Sequence, residues 1–387
     1  MIHPDDIAAW IAQVRQQPEA APGIIEALAA RLAALDRQNE ALRDELLRLR
    51  RKGKSAADVG RAATLTRRVQ TLERQIAQSV QPDEAARSLL LLTLDGRGAR
   101  LPWPSADDWG VRGELAARHL RPRYLLPVSE ADQLLLFNDK GLAFCLDAAD
   151  VELIDAPARY LSPLSDLALD LDESISAVGV FPAGGSYGQL TLVTRKGYAR
   201  SFRRAEVDSM LKRNLPLHSS PVEGDYAAFA LFGDGKGELF IVSRDGKGVR
   251  FPERVVGVQS KPAIKLDRGD VVAGAVVVKG EVAGKRSGET VALIGARGLA
   301  ARREMDGFSA HPNAGIRGKI VTRVNDLVAV ALVEKDDVVW LLTSAGQLLA
   351  LPAARLPSGP GASSGKVVVK LGKDERMVAL AIGPIRQ

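Results

Sequence analysis

The stretch Val339-Trp340-Leu341-Leu342-Thr343-Ser344-Ala345-Gly346-Gln347-Leu348-Leu349-Ala350-Leu351 has the pattern of a β-hairpin. Two apolar runs flank a short polar segment, whose glycine can take the positive φ that a tight turn requires. The same pattern occurs six times along the chain. The turn glycines are Gly96, Gly141, Gly197, Gly246, Gly298 and Gly346, with spacings of 45, 56, 49, 52 and 48 residues. This spacing is typical of propeller blades.

A second, weaker repeat lies between the hairpins. Residues 265–273 resemble residues 370–379, and more distantly residues 323–329 and 172–177. We interpret this repeat as the other half of each blade, so that it and the hairpin contribute two strands each. Six four-stranded blades would close a ring with only short exposed sheet edges. The sequence therefore predicts a mainly β protein with a six-bladed β-propeller.

The N-terminal region has helical periodicity instead. Apolar residues occupy the a and d positions of four consecutive heptads, and Asn39 is the one polar residue among them. A buried asparagine pairs with its symmetry mate in a parallel dimer and fixes the register at some cost in stability. The predicted dimerisation residues are Ile25, Leu28, Leu32, Leu35, Asn39, Leu42, Leu46 and Leu49.

An intramolecular helical hairpin is the alternative, because Leu65, Val69, Leu72 and Ile76 supply a second apolar stripe. The sequence Gln81-Pro82-Asp83 then ends the helical pattern. We therefore expect a helical, coiled-coil dimerisation region over residues 1–82 and the propeller over residues 83–387.

Charge is distributed unevenly along the chain. The net charge is +6 and the pI about 9.4. Residues 129–190 hold eleven acidic residues against two basic ones, whereas residues 191–323 hold 24 basic residues against 14 acidic ones. A ring built from this chain would have an acidic arc and a basic arc, and the basic arc would suit a polyanionic partner.

Several features indicate the cellular compartment. Cys145 is the single cysteine, so no internal disulfide is possible. The first residues are acidic and lack the regions of a signal peptide, and the apolar runs are too short to cross a membrane. We expect a cytoplasmic protein without a membrane partner.

The sequence contains no constellation of catalytic residues. Tyr124 and Tyr160 each follow an arginine, but both lie between predicted blade strands, so no tyrosine nucleophile is expected. Gly53-Lys54-Ser55 lacks the earlier glycine of a phosphate-binding loop. The four histidines and the cysteine are not spaced as a zinc site. We expect neither an enzyme nor a bound cofactor or metal.

The segment Leu192-Val193-Thr194-Arg195-Lys196-Gly197-Tyr198-Ala199-Arg200 resembles the blades of the C-terminal domains of bacterial DNA gyrase A and its topoisomerase IV counterpart. The basic, glycine-rich loops at 314–319 and 361–366 are similar to the inter-blade loops of that family, and the resemblance spans residues 88–384. It implies a β-pinwheel, a propeller whose blades exchange strands and whose rim binds and bends duplex DNA. Residues 315–319 depart from the Gln-Arg-Arg-Gly-Gly-Lys-Gly-type box of that family, which argues against gyrase-like supercoiling.

Basic residues recur near the predicted turns of the third to fifth blades, so a ring would align them along one stretch of rim. Bending a stiff duplex requires phosphate contacts along such a curved row. The predicted DNA-binding residues are Arg195, Lys196, Arg200, Arg203, Arg204, Arg244, Lys247, Arg250, Arg254, Arg297, Arg302, Arg303, Arg317, Lys319 and Lys366.

Our leading hypothesis is a non-enzymatic protein that binds and bends double-stranded DNA without sequence specificity. It would be a nucleoid-associated homodimer, acting as an architectural protein or assisting a topoisomerase core supplied in trans. One alternative is a protein-interaction propeller scaffold whose basic arc is incidental. Another is a degenerate A-type topoisomerase chain that lacks the cleavage domain.

Overall fold

The six predicted hairpins are present in the computed structural model. All six turn glycines have positive φ, between 76° and 93°. Each glycine joins two antiparallel strands in register. The periodicity of the sequence therefore identified every hairpin correctly.

The structure describes residues 87–384 apart from 104–112, 115, 156–157, 165–166, 168, 182–187, 280–287, 360–361 and 363. The coiled coil predicted over residues 1–82 lies outside the described residues. The strands are β1 (Arg87–Leu92), β2 (Arg97–Pro102), β3 (Gly113–Glu114), β4 (Tyr124–Ser129), β5 (Gln133–Asn138), β6 (Ala143–Asp147), β7 (Ser162–Pro163), β8 (Ile175–Phe181), β9 (Gln189–Thr194), β10 (Tyr198–Arg203), β11 (Ala227–Gly233), β12 (Glu238–Ser243), β13 (Lys247–Pro252), β14 (Lys261–Pro262), β15 (Ile264–Lys265), β16 (Val272–Val278), β17 (Thr290–Gly295), β18 (Leu299–Glu304), β19 (Ile316–Arg317), β20 (Lys319–Ile320), β21 (Leu327–Leu332), β22 (Asp337–Thr343), β23 (Gln347–Pro352), β24 (Ser358–Gly359), β25 (Lys366–Val367) and β26 (Met377–Pro384). One helix, α1 (Arg204–Lys212), follows β10.

Each blade is a small, mostly antiparallel sheet built on one hairpin. An inner strand, which follows the hairpin in sequence, pairs with the first hairpin strand. In every blade except the second, the described residues add a two-residue outer strand that pairs with the second hairpin strand, and the fifth blade has two of them, one parallel. The hairpins are β1/β2, β5/β6, β9/β10, β12/β13, β17/β18 and β22/β23, and the inner strands are β4, β8, β11, β16, β21 and β26. The fold is thus the predicted six-bladed, mainly β ring.

The outer strands come from neighbouring blades. The outer strand β14 of the third blade follows the hairpin of the fourth, and β20 of the fourth blade follows the hairpin of the fifth. The sequence repeat predicted that the segment before each inner strand would add a strand to its own blade. Before five of the six inner strands, this segment instead forms an outer strand of the previous blade, whereas the described segment before β11 contains α1 and no outer strand.

The ring is closed by the same exchange. The outer strand of the sixth blade is β3, which follows the first hairpin and pairs with β23. The backbone N–H of Ala116 adds a 3.0 Å hydrogen bond to the carbonyl oxygen of Gly346. The closure joins the two ends of the repeat array.

The hydrophobic core lies between blades. Side chains alternate along a strand, so Leu89 and Leu91 pack against the sixth blade, whereas Leu90 and Leu92 pack against the second. Six buried clusters fill the six boundaries between neighbouring blades. This arrangement explains why the hairpin strands are apolar on both faces.

Candidate nucleic-acid interface

Three outer strands place a lysine at the same position of three consecutive blades. In the third, fourth and fifth blades, the second residue after the turn glycine pairs with an exposed lysine of the outer strand. The lysines are Lys261, Lys319 and Lys366, which we call the lysine row, and their partners are Ala199, Gly248 and Ala300.

The lysine row is confined to one side of the ring. The same position holds Ser162 in the first blade and Gly113 in the sixth, and the described sheet of the second blade has no outer strand. Sequence analysis identified Lys319 and Lys366 but missed Lys261, which follows no glycine-rich loop. The signal that all three share is a small residue, then lysine, then an apolar or proline residue.

Two further cations near the lysine row share one carboxylate. Lys247 donates a hydrogen bond to Asp267, and Nη2 of Arg317 lies 3.7 Å from Oδ1 of the same residue. The hydrogen bond from Lys247 lowers the pKa of Asp267, so the carboxylate is ionised. Asp267 therefore neutralises part of the positive charge on this stretch of the rim.

Other predicted cations lie on the surface. Lys196 donates a 2.6 Å hydrogen bond from Nζ to the carbonyl oxygen of Glu223, and Arg297 donates a 3.3 Å bond to that of Lys373. These hydrogen bonds fix the positions of the two side chains but do not neutralise their positive charges. Among the predicted DNA-binding residues, the exposed ones outside the lysine row are Lys196, Arg203, Arg204, Arg254, Arg297 and Arg317.

Arg250, which the sequence suggested as a DNA contact, is only 4% exposed and binds the protein itself. Its Nε lies 2.5 Å from Oε2 of Glu238, and Nη1 donates to the carbonyl oxygens of Met305 at 2.8 Å and Phe308 at 3.2 Å. All these partners belong to the fourth and fifth blades of the protein itself. The expectation that Arg250 contacts DNA is therefore corrected.

The position of Arg250, four residues after the turn glycine, joins neighbouring blades elsewhere as well. In the first blade, Nε of Arg100 donates to the carbonyl oxygen of Val151 at 2.8 Å. In the third, Oγ of Ser201 donates to that of Val256, also at 2.8 Å. Val151, Val256 and Phe308 each directly follow a 3₁₀ turn in the next blade, and Met305 is the first residue of such a turn. In these three blades the position therefore joins one blade to the next.

Three other predicted arginines are partly or fully withdrawn from the surface. Arg303 is 6% exposed and donates from Nη1 to the carbonyl oxygen of Val321 at 2.6 Å, so the expectation that it contacts DNA is also corrected. Arg302 is half-buried. The guanidinium of Arg200 lies 4.2 Å from the ring centroid of Phe202, and burial lowers its pKa. Arg200 is three residues after its turn glycine, so it lies on the opposite sheet face from the four-residue position.

Arg195 and Arg244 lie at the centre of the ring. The inner strands enclose a cavity of about 890 Å³, and both arginines line it. Arg123 and Arg376, which the sequence analysis did not single out as binding residues, line the same cavity. These four arginines are therefore separate from the perimeter.

No group of three or more His, Cys, Asp or Glu side chains in the described part of the chain could hold a metal ion. The hydroxyl of Tyr124 donates to the carbonyl oxygen of Ile175 at 3.0 Å, and burial raises its pKa. No helix in the described ranges is long and apolar enough to cross a membrane.

Comparison with known proteins agrees with this architecture. A family model described as DNA gyrase C-terminal domain, beta-propeller, matches residues 237–279, which contain the hairpin and inner strand of the fourth blade. The DNA gyrase A protein of Staphylococcus aureus is 23% identical over 288 residues, covering 71% of this chain. The chain spans about a third of the length of that relative, the match covering 32% of it.

Two solved structures have a similar fold. The DNA gyrase A C-terminal domain superposes with a TM-score of 0.61 at 17% identity, covering 76% of this chain and 99% of that domain. The C-terminal domain of DNA topoisomerase IV gives a TM-score of 0.53 at 19% identity, covering 76% of this chain and 93% of that one.

Proposed function

Because the chain belongs to the DNA gyrase A C-terminal-domain family, we propose that its ring binds duplex DNA along the perimeter of the third to fifth blades and bends it. The observation that carries this proposal is the lysine row. Strand register repeats one exposed ammonium per blade on a convex edge, and a bent duplex presents its phosphates to such an edge in a curved line.

Energetics favour a surface of this kind. Bending a site of 20–30 base pairs by 40–90° costs on the order of 1–6 kcal/mol, so several phosphate contacts must act together. Each neutralised phosphate releases counterions and steepens the salt dependence by about 0.9 in a log–log plot. The exposed cations Arg203, Arg254, Arg297 and Arg317 would extend the lysine row. None of these contacts selects a base sequence.

The experiment compares two triple variants of the full chain. Lys261→Gln/Lys319→Gln/Lys366→Gln removes the lysine row. Lys236→Gln/Lys279→Gln/Lys335→Gln removes three exposed lysines from the connections that follow the inner strands of the same three blades, with the same change in net charge. Affinity for a duplex of about 150 base pairs would be measured across a salt series, and bending by ring closure of short fragments.

We expect the row variant to lose about three units of salt slope and its bending activity, while the control keeps both. Equal losses in the two variants would mean that net charge alone drives binding. Wild-type binding that is weak or insensitive to salt would contradict the proposal and favour the protein-interaction scaffold.

The wider assignment is part of the same proposal. The ring is a non-enzymatic module, and the predicted coiled coil of residues 1–82 joins two copies, so that two basic arcs act on long or crossing duplexes with increased avidity. A topoisomerase core in trans is the partner that its relatives suggest. Light scattering on the full chain should give a dimer, and Leu35→Glu/Leu42→Glu should give a monomer. A monomeric wild type would contradict the dimer without affecting the perimeter proposal.

A further inference from the structure

The central cavity has a cationic mouth that DNA bending on the perimeter does not explain. Arg123 and Arg376 directly precede the inner strands of the first and sixth blades, whereas Arg195 and Arg244 directly follow the first hairpin strands of the third and fourth. Antiparallel pairing puts all four positions at the same end of the cavity, the end where the hairpin turns lie.

Backbone hydrogen bonds hold this end of the ring together. The carbonyl oxygen of Arg195 accepts a 2.9 Å bond from the N–H of Val272, which begins the next inner strand. The carbonyl of Arg244 accepts a 3.0 Å bond from the N–H of Leu327 in the same way. The backbones that carry the two arginines are thus fixed at blade boundaries beside the opening.

Most of the positive charge at the mouth is uncompensated. Arg123, Arg195 and Arg376 form no ion pair with another described residue, and Arg244 donates from Nη2 to the carbonyl oxygen of Gly269 at 2.8 Å. Asp326 is the one acidic residue that lines the cavity, among the residues that the structure describes. Four guanidinium groups around an opening with aliphatic walls focus a positive potential on it.

Size limits what can bind there. The inner strands have six to eight residues and are about 20–26 Å long, so a cavity of about 890 Å³ averages roughly 34–45 Å² in cross-section, about 7 Å across for the centres of water-sized groups. The major groove of B-DNA alone is about 12 Å wide, so a whole duplex is too wide to enter the cavity. A slender anion fits, and arginine forks match phosphate oxygens in geometry and charge.

We propose that the mouth of the central cavity, formed by Arg123, Arg195, Arg244 and Arg376, is a second binding site, specific for a small anion that carries several phosphate groups. The anion bridges guanidinium groups from four blades and relieves their mutual repulsion. This site is independent of the perimeter. Such a ligand is either an inorganic oligophosphate or the phosphate tail of a nucleotide.

Calorimetric titration of the full chain in low salt with tripolyphosphate, and separately with ATP, tests the proposal. We expect saturable binding of one anion per chain, at least tenfold weaker in Arg195→Gln/Arg244→Gln and in Arg123→Gln/Arg376→Gln. Lys261→Gln/Lys319→Gln, with the same loss of charge on the perimeter, should stay within twofold of the wild type. Equal affinity for the two probes would indicate that the site binds phosphate groups alone. Tighter binding of ATP would indicate that the nucleoside also contacts the cavity wall.

Absence of saturable binding for both probes, or equal weakening in the perimeter control, would overturn the site. The arginine pairs lie on different strands and the exposed pair Arg123 and Arg376 has no described hydrogen bond from its side chains, so a folding defect in one variant leaves the other informative. Duplex affinity measured on the two arginine variants tests the perimeter proposal separately, because both of these variants keep the lysine row.

Discussion

Nη1 of Arg250 in the fourth blade donates a 2.8 Å hydrogen bond to the carbonyl oxygen of Met305 in the fifth. Because the same guanidinium also neutralises Glu238, we expect Arg250→Ala to lower the free energy of unfolding by about 3–5 kcal/mol. Urea denaturation measures this change. The exposed neighbour provides the control, since Arg254→Ala should change stability by no more than about 0.5 kcal/mol. A loss of DNA affinity without loss of stability in Arg250→Ala would show that the arginine contacts DNA.

Asp267 contacts two cations of the rim, Lys247 and Arg317, that the proposed duplex binding would use. Asp267→Asn should free Lys247 and Arg317 and raise affinity for duplex DNA by roughly threefold or more in low salt, with a steeper salt slope. Filter binding or fluorescence anisotropy across a salt series would measure both. The matched control is Asp245→Asn, which removes an exposed acid from the turn of the same blade. An equal gain in the control would attribute the effect to net charge.

His218 makes stability depend on pH. It is 3% exposed, neither ring nitrogen has a hydrogen-bond partner among the described residues, and burial lowers its pKa to about 4 against an ordinary value of 6.5. Arg200 also lowers this pKa, and Asp225 opposes the shift. The unfolded chain therefore binds a proton more readily than the folded one, and stability falls as the pH drops from about 6.5 towards 4. Below pH 4, the loss in the free energy of unfolding reaches about 3 kcal/mol.

Denaturant unfolding at several pH values would measure the contribution of His218. His218→Phe keeps a ring in the site and should flatten the dependence between pH 6.5 and 4. His119→Gln, at an exposed histidine, should leave the dependence unchanged. The same pH dependence in His218→Phe as in the wild type would assign the effect to other groups.

Ring closure depends on Gly346. Its φ is 76°, and a Cβ there would lie 2.0 Å from the carbonyl oxygen of Ala116. Gly269 has a similar φ of 81° but nothing within 4 Å of its Cβ position. Gly269→Ala should therefore cost only the left-handed strain of about 1–2 kcal/mol, and Gly346→Ala about 1–3 kcal/mol more from the clash. Thermal unfolding compares them, and equal losses would mean that the closure contact adds nothing.

The hairpins could be predicted from sequence because their information is local. An apolar run and a glycine with positive φ lie within a dozen residues, and all six sites have the expected geometry. The two-residue outer strands have no such pattern. Their position depends on pairing with a hairpin of the neighbouring blade, so Lys261 was not recognisable as an equivalent of Lys319.

Local sequence also could not predict which arginines are buried and which are exposed. Arg250 and Arg254 are four residues apart and chemically identical, yet one is buried and the other exposed. The difference arises from carbonyl groups of Met305 and Phe308, more than 50 residues away, which accept hydrogen bonds only after the blades have assembled. Arg200 lies one residue before the four-residue position of its blade. A shift of one residue along a strand moves the side chain to the opposite face of the sheet.

The exchange of outer strands determines how the ring would carry a mechanical load. Lys319 belongs to a strand that is hydrogen-bonded to the fourth blade but follows the hairpin of the fifth in the chain. A duplex that springs back towards a straight shape would pull on both blades through this one residue. In the proposed binding mode, tension at each lysine would be divided across a blade boundary, and the restoring force of the DNA would be distributed around the closed ring instead of acting on a single sheet edge.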